Sequence, residues 1–181
     1  MKKNLKYLKT VIAAVCLFTT FSAFAQTSSK DKKIVADSKV AHTEFVKSDA
    51  LMSNLFSSAY GYAIFPNVGK GGIGIGGAAG NGAVWEQGRL VGMAKMTQVT
   101  IGFQWGGQAY REVIFFETKA DMDRFKENKV ELSAQASAVA ATAGASATAK
   151  YADGVMIFTQ AKGGLMYEAT VGGQKFKFNS F

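Results

Sequence analysis

A lysine and the run of glycines around it are the first candidates in this sequence for binding an anion. Lys70 is the only charged residue between Asp49 and Glu86, and eight of the eighteen residues from Phe65 to Gly82 are glycine. Bare backbone can hold phosphate groups when several N–H groups converge on the anion. The run could therefore bring backbone close to a ligand, or it could let one layer of backbone pack tightly on another.

Two nucleotide-binding motifs come close to a match in this run, and neither is complete. Gly72, Gly74 and Gly77 fit G-x-G-x-x-G by letter, but that motif also needs a preceding strand, a following helix and a later acid. A P-loop requires Ser or Thr after the lysine, and Gly71 follows Lys70. The sequence favours a packed glycine strand over a nucleotide site. The glycines predicted to serve close packing or close ligand approach are Gly71, Gly72, Gly74, Gly76 and Gly77.

Catalytic and metal chemistry have few candidate residues. His42 is the single histidine, it falls in a predicted helix, and it is interpreted as a surface residue. Asp121 and Asp123 are close together, but acids at the start of a predicted helix are typical of dipole compensation. No G-x-S-x-G sequence and no metal-ligand spacing occurs. The sequence therefore predicts no enzyme, no catalytic residues, no metal and no cofactor.

The first 25 residues have the pattern of a cleaved secretory signal peptide. Four lysines precede an apolar run from Val11 to Phe21, and Ala23-Phe24-Ala25 forms an A-x-A cleavage site. Cys16, the only cysteine, has a poor sequence context for lipidation. Without the four lysines, 17 basic and 13 acidic residues remain, a formal charge of +4. We expect a periplasmic or secreted protein, and this charge is too small to indicate nucleic-acid binding.

The remaining chain is predicted to form a disordered linker over 26–33 and a single domain over 34–181. Apolar residues at spacings of three and four predict an amphipathic helix from Ile34 to Tyr60, interrupted near Ser48-Asp49. That helix could be docked on the core, or it could lie in a lipid interface. The expected fold class is α+β, with N-terminal helices followed by a mostly antiparallel Gly/Ala-rich sheet or barrel-like sandwich and one short helix.

Alternation and turn signals divide the first part of the sheet. Pro66 is expected at a corner between helix and sheet, and Asn81-Gly82 and Gln87-Gly88 are expected as turns. The clearest alternation runs from Gln98 to Gln104.

Further patterns place the rest of the elements. The continuous apolar run from Val113 to Phe116 predicts a strand buried on both faces. Thr118 and Asp121 form a capping box for a short helix through Phe125. The alanine-rich stretch from Ser133 to Ala149 reads as strand by alternation and as helix by propensity, and we favour strand. Further strands are predicted at Val155–Phe158, Leu165–Val171 and Lys175–Phe178.

Several ordered motifs resemble one family. They are Ile64-Phe65-Pro66-Asn67-Val68, the glycine run after it, Gly102-Phe103-Gln104-Trp105-Gly106-Gly107-Gln108, and Lys162-Gly163-Gly164-Leu165-Met166-Tyr167-Glu168. Together they resemble the SYLF domain, also called the Ysc84 actin-binding domain, over about Leu51 to Phe178. One departure is Ala143-Gly144, where members often carry Gly-Pro.

The resemblance implies a lipid-binding module. Eukaryotic members bind phosphoinositides and in some cases actin, but an exported bacterial-type chain is not expected to meet actin. An anionic phospholipid membrane is the expected partner, and any protein partner is unknown. We hypothesise that Lys70, Lys162, Lys175 and Lys177 form a shared lipid contact, because two of them sit at glycine turns and two alternate with phenylalanine. The alternatives are scattered solvating charges, and a structural envelope protein whose Gly/Ala strands pack on a protein partner.

Overall fold

The computed structural model describes residues 28–73, 75–101, 108–130, 137–162 and 169–181. These residues form an α+β fold, which confirms the predicted class. The helices are α1 (Ser29–Ser48), α2 (Met52–Ser58) and α3 (Lys119–Lys126), with a 3-10 turn at Ala145–Ala147. The strands are β1 (Gly61–Ile73), β2 (Ile75–Glu86), β3 (Arg89–Ile101), β4 (Gln108–Phe116), β5 (Ser137–Ala140), β6 (Val155–Ala161), β7 (Ala169–Thr170) and β8 (Gln174–Ser180).

The N-terminal helices are docked on the sheet. α1 begins at a capping box between Ser28 and Asp31, so residues 29–33 of the predicted linker are helical. Phe45 is fully buried on the sheet side of α1, together with Ser38 and Ala41. The helix ends at Asp49, close to the predicted interruption. The sequence left two alternatives for this helix, docking on the core or lying in a lipid interface. The described packing is that of a helix docked on the core.

The eight strands form one sheet in the order β7-β5-β6-β4-β1-β2-β3-β8, antiparallel except for the β5–β6 pair. β1 and β2 are a long hairpin that reverses between Ile73 and Ile75. The predicted turn at Asn81-Gly82 is therefore wrong, since both residues lie within β2. Gly82 is needed there for packing, because an added Cβ would stand 2.5 Å from the Ile64 carbonyl oxygen. The turn at Gln87-Gly88 is confirmed, with φ of 47° and 75°.

Pro66 lies inside β1 and not at a corner between helix and sheet, so that prediction was also wrong. The pairing of β1 with both of its neighbours shifts register around Pro66. A bulge accommodates proline because a residue outside the regular ladder does not need to donate a backbone hydrogen bond.

The sheet is strongly curved and buries a core on each face. On its inner face Phe176 of β8 reaches Phe65 of β1, with ring centroids 5.9 Å apart, although β2 and β3 lie between these strands. The helices α1 and α2 cover part of the outer face. The four residues from Val113 to Phe116 are fully buried, which confirms the prediction of a strand covered on both sides.

The second half of the chain follows the sequence patterns in part. Thr118 and Asp121 form the predicted capping box at the start of α3. Within the alanine-rich stretch, strand is confirmed for β5, whereas 131–136 lies outside the described residues. For 141–149 the strand prediction was wrong, because the chain turns at Gly144, which has a φ of 78°, into the 3-10 segment. Of the strand predicted from Leu165 to Val171, residues 165–168 lie outside the described residues, and Ala169–Thr170 form β7.

No helix in the described part of the chain combines the length and the apolar character needed to cross a bilayer.

Candidate functional site

Three rows of neighbouring residues on the outer face of the sheet are not covered by any of the described elements, and we call these rows the open face. The register joins Gly71–Gly77–Val99, then Ala109–Gly69–Ala79–Thr97–Lys175, then Asn67–Asn81–Lys95–Lys177. Directly paired residues of adjacent strands share a face, and alternate residues along each strand change face. The burial pattern agrees, because residues of these rows are exposed or half-exposed and their chain neighbours are mostly buried. None of the three rows contains an acidic residue.

The centre of the open face is bare backbone. A Cβ placed on Gly69 or Gly71 would meet nothing within 4 Å, so no described packing requires glycine at either position. Val99 stands at the end of the first row with 75% of its surface exposed. This alternation places Gln98 inside and an apolar side chain in solvent, the reverse of what a soluble strand normally shows.

The glycines predicted to serve packing differ in how much space surrounds them. At Gly77 an added Cβ would lie 3.2 Å from the Gln98 carbonyl oxygen, a tight contact, whereas Gly71 is open. Gly74 and the surroundings of Gly72 lie outside the described residues. For Gly72, Gly74 and Gly76, packing or ligand approach therefore stays a prediction. The closest backbone packing occurs instead at Gly61, Gly82 and Gly92, where an added Cβ would lie 2.4–2.7 Å from a carbonyl oxygen.

Lysines stand at both ends of the open face. Lys175 and Lys177 of β8 are exposed at one end, and Lys162 is exposed at the other, after β6. The sequence reasoning missed Lys95, which lies directly opposite Lys177 in the β3–β8 pair. Like charges in directly opposed positions disfavour strand pairing. Only knowledge of the register could have found Lys95, since nothing in its local sequence distinguishes it.

Lys70 does not join the other three lysines. It lies on the inner face, only 8% exposed, in a row with buried Gln98 and Gln174. The expectation that Lys70 sits at a turn and reaches a surface was wrong, because β1 continues past it to Ile73. Burial lowers the pKa of the Lys70 ammonium group. The four predicted lysines are therefore split between the two faces of the sheet.

The inner face also holds a buried carboxyl. Glu112 of β4 is fully buried, and the side-chain amide of Gln174 donates to its Oε2 at 2.9 Å. Burial raises the pKa of Glu112 to about 7, which the hydrogen bond from Gln174 only partly offsets. Burial and the Glu112 charge together raise the pKa of Tyr110. Among the described residues, Glu112 Oε1 has no hydrogen-bond partner.

His42 lies beside an aromatic ring and close to a serine hydroxyl. The imidazole is half-buried against the Phe56 ring, with centroids 4.0 Å apart, and burial lowers its pKa. The nearby Ser38 hydroxyl donates to the Ile64 carbonyl oxygen and does not pair with a base. His42 is thus less exposed than the sequence suggested. Within the described ranges, no three His, Cys, Asp or Glu side chains are grouped as metal ligands.

Comparison with known proteins identifies a family and a relative. The model of the Ysc84 family, described as Las17-binding protein actin regulator, matches residues 97–180. The chain is also similar to Beta cell expansion factor A of Aeromonas veronii, with 33% identity over 124 residues. The aligned region is 67% of this chain and 47% of that protein, so the chain spans about half the length of its relative.

Proposed function

We propose that this chain, which belongs to the Ysc84 (SYLF) family, binds anionic phospholipid membranes through the open face. The family is associated with lipid and actin binding. The observation that carries the proposal is the charge pattern of that face, where Lys95 opposes Lys177 and no acid occurs in the three rows. An anionic surface would offset the repulsion between the two lysines. The module is non-catalytic in this proposal.

The shape of the open face is compatible with a flat binding partner such as a membrane surface. Its centre carries only the small residues Gly69, Gly71 and Ala79, so no long side chain there keeps a planar surface away. Val99 adds an exposed apolar group that could enter the headgroup region. Each basic residue near an anionic membrane contributes about 1 kcal/mol. A few lysines therefore give a weak, salt-sensitive attachment.

The test is co-sedimentation with vesicles of phosphatidylglycerol and phosphatidylcholine, compared with phosphatidylcholine alone. Replacement of Lys95, Lys175 and Lys177 by Gln should weaken binding to the anionic vesicles on the order of 100-fold, from three contributions of about 1 kcal/mol each. A matched control replaces Lys119, Lys129 and Lys150, which are exposed outside the open face, and changes net charge equally. Equal losses in both triple variants would show that only net charge matters and would discard this site.

Ionic strength provides a second measurement. Wild-type binding should fall steeply between about 0.01 and 0.15 M salt, where the Debye length shortens from about 30 to about 8 Å. Binding that persists unchanged at the higher salt would contradict an electrostatic attachment.

The alternative function is an envelope protein whose Gly/Ala strands pack on a protein partner. Addition of a partner strand at the β8 edge of the sheet is disfavoured, because Lys175 and Lys177 lie on that edge strand. Binding to protein-free vesicles separates the two functions, since the alternative predicts none.

Export is also a proposal. The pattern Ala23-Phe24-Ala25 behind an apolar run supports cleavage after Ala25 and a periplasmic or secreted protein. The intact mass of the protein recovered outside the cytoplasm decides it, and a retained N-terminus or a lipid on Cys16 would contradict it.

A further inference from the structure

Beside the open face, a pocket of about 260 Å³ gathers three basic side chains around one acid. Its lining comprises Lys33, Asp37, Val40, Pro66, Asn67, Arg111 and Lys162. The pocket lies where the first half of α1 crosses the sheet, next to Asn67 at the end of the third row of the open face. It therefore adjoins the surface proposed to meet the membrane.

Within the pocket, the single carboxylate is already hydrogen-bonded, and the basic side chains leave an excess of positive charge. Asp37 accepts from the Lys33 ammonium group at 2.8 Å and from the Asn67 side-chain amide at 3.4 Å. The Lys162 ammonium group donates to the Asn67 side-chain oxygen, and Arg111 donates to the Gln160 side-chain oxygen at 3.0 Å. Within the pocket, neither Lys162 nor Arg111 contacts a carboxylate among the described residues. Three cations and one carboxylate leave a formal charge of +2.

We infer that this pocket binds a phosphomonoester group. A doubly charged anion with several acceptor oxygens matches the excess charge, whereas a carboxylate or a phosphodiester would leave one positive charge unbalanced. The planar guanidinium of Arg111 is suited to bidentate contact with phosphate, and the two lysines supply point charges. Val40, which is 60% exposed, and Pro66 give the pocket an apolar wall for the carbon atoms next to the phosphate.

The inference rests on the proposed function only for the source of the group, which is a lipid headgroup if the open face meets a membrane. The same chemistry would take a soluble phosphate. Inorganic phosphate is therefore the first probe, and vesicles containing phosphatidic acid, a phosphomonoester lipid, are the second. Phosphatidylglycerol vesicles of matched surface charge are the comparison, because their headgroup is a phosphodiester.

The first measurement is the melting temperature of the full chain titrated with sodium phosphate, against sodium chloride at equal ionic strength. Phosphate should raise Tm saturably, since a ligand that binds only the folded state stabilises it. The shift should disappear in the Arg111→Gln, Lys162→Gln variant and persist in the Lys95→Gln, Lys177→Gln variant, whose changes lie elsewhere on the open face. If the first variant fails to fold, Lys162→Gln alone serves, because that side chain is exposed and should weaken the shift.

The outcomes separate the pocket from the open face. No phosphate-specific shift in the wild-type protein would overturn the pocket and leave vesicle binding untouched. A shift that survives loss of both Arg111 and Lys162 would also overturn it. Preference for phosphatidic acid over phosphatidylglycerol, lost in the same variant, supports the lipid source. A phosphate shift without that preference supports the pocket with a soluble source.

Discussion

The buried carboxyl of Glu112 predicts that the protein loses stability as the pH rises from about 4.5 to neutrality. In an unfolded chain this group titrates at its ordinary value of 4.5, whereas in the fold its pKa is about 7. Between these two values the folded state holds a proton that the unfolded state has released. Raising the pH therefore favours unfolding in this window. The contribution of the protonated Glu112 carboxyl to stability is fully present below pH 4.5 and is lost by about pH 7 to 8.

The magnitude follows from the displacement of the pKa. A change from 4.5 to about 7 corresponds to about 3 kcal/mol, at roughly 1.4 kcal/mol per unit. Glu112 is fully buried, so solvent screening does not reduce this figure substantially. His42 affects the pH dependence of stability in the opposite direction. Because burial lowers its pKa, its contribution to stability is lost as the pH falls. A variant of Glu112 is needed to isolate the carboxyl.

Glu112→Gln is that variant, since glutamine resembles the protonated carboxyl and can still accept from Gln174. We expect the free energy of unfolding of the variant to exceed that of the wild type by about 3 kcal/mol at pH 8 and to match it near pH 4.5. Urea unfolding at several pH values, followed by tryptophan fluorescence, measures both curves. A difference between the two proteins that stays constant from pH 4.5 to 8 would refute the reasoning.

Three further predictions concern packing and buried charge. Gly82→Ala should destabilise by about 1–3 kcal/mol through overpacking, whereas Gly71→Ala, at an open position, should not; equal melting temperatures for the two variants would contradict this. Ser146→Ala removes the hydroxyl that donates to buried Asp49 at 2.6 Å and should cost about 1.5–3 kcal/mol in urea unfolding; a smaller loss would mean that the backbone donors to Asp49 suffice. Lys70→Met removes a buried cation that has no ion-pair partner among the described residues, and it should maintain or raise Tm; a large drop would reveal an interaction that Lys70 needs.

The sequence alone determined the elements whose signals are local. Thr118 and Asp121 specify the start of α3, because a capping box satisfies helix N–H groups with side chains three residues apart. The apolar run from Val113 to Phe116 specifies a central strand, since only a strand covered on both faces tolerates four apolar residues in succession. The alternation of Phe176 with two lysines specifies which side of β8 is buried. A resemblance to the Ysc84 family was also visible in the ordered glycine motifs.

Only the tertiary structure decided how these elements meet. Asn81-Gly82 has the composition of a hairpin turn, yet long-range pairing with β1 and β3 places it within a strand. The alternation of side chains along a strand shows that neighbouring residues face opposite ways. It does not show which face of one strand continues onto the next strand. The register between strands settles that question, and it buries Lys70 inside while Lys95 is brought opposite Lys177 on the open face. The charged surface is therefore a product of pairing between residues distant in sequence, and no local pattern could have specified it.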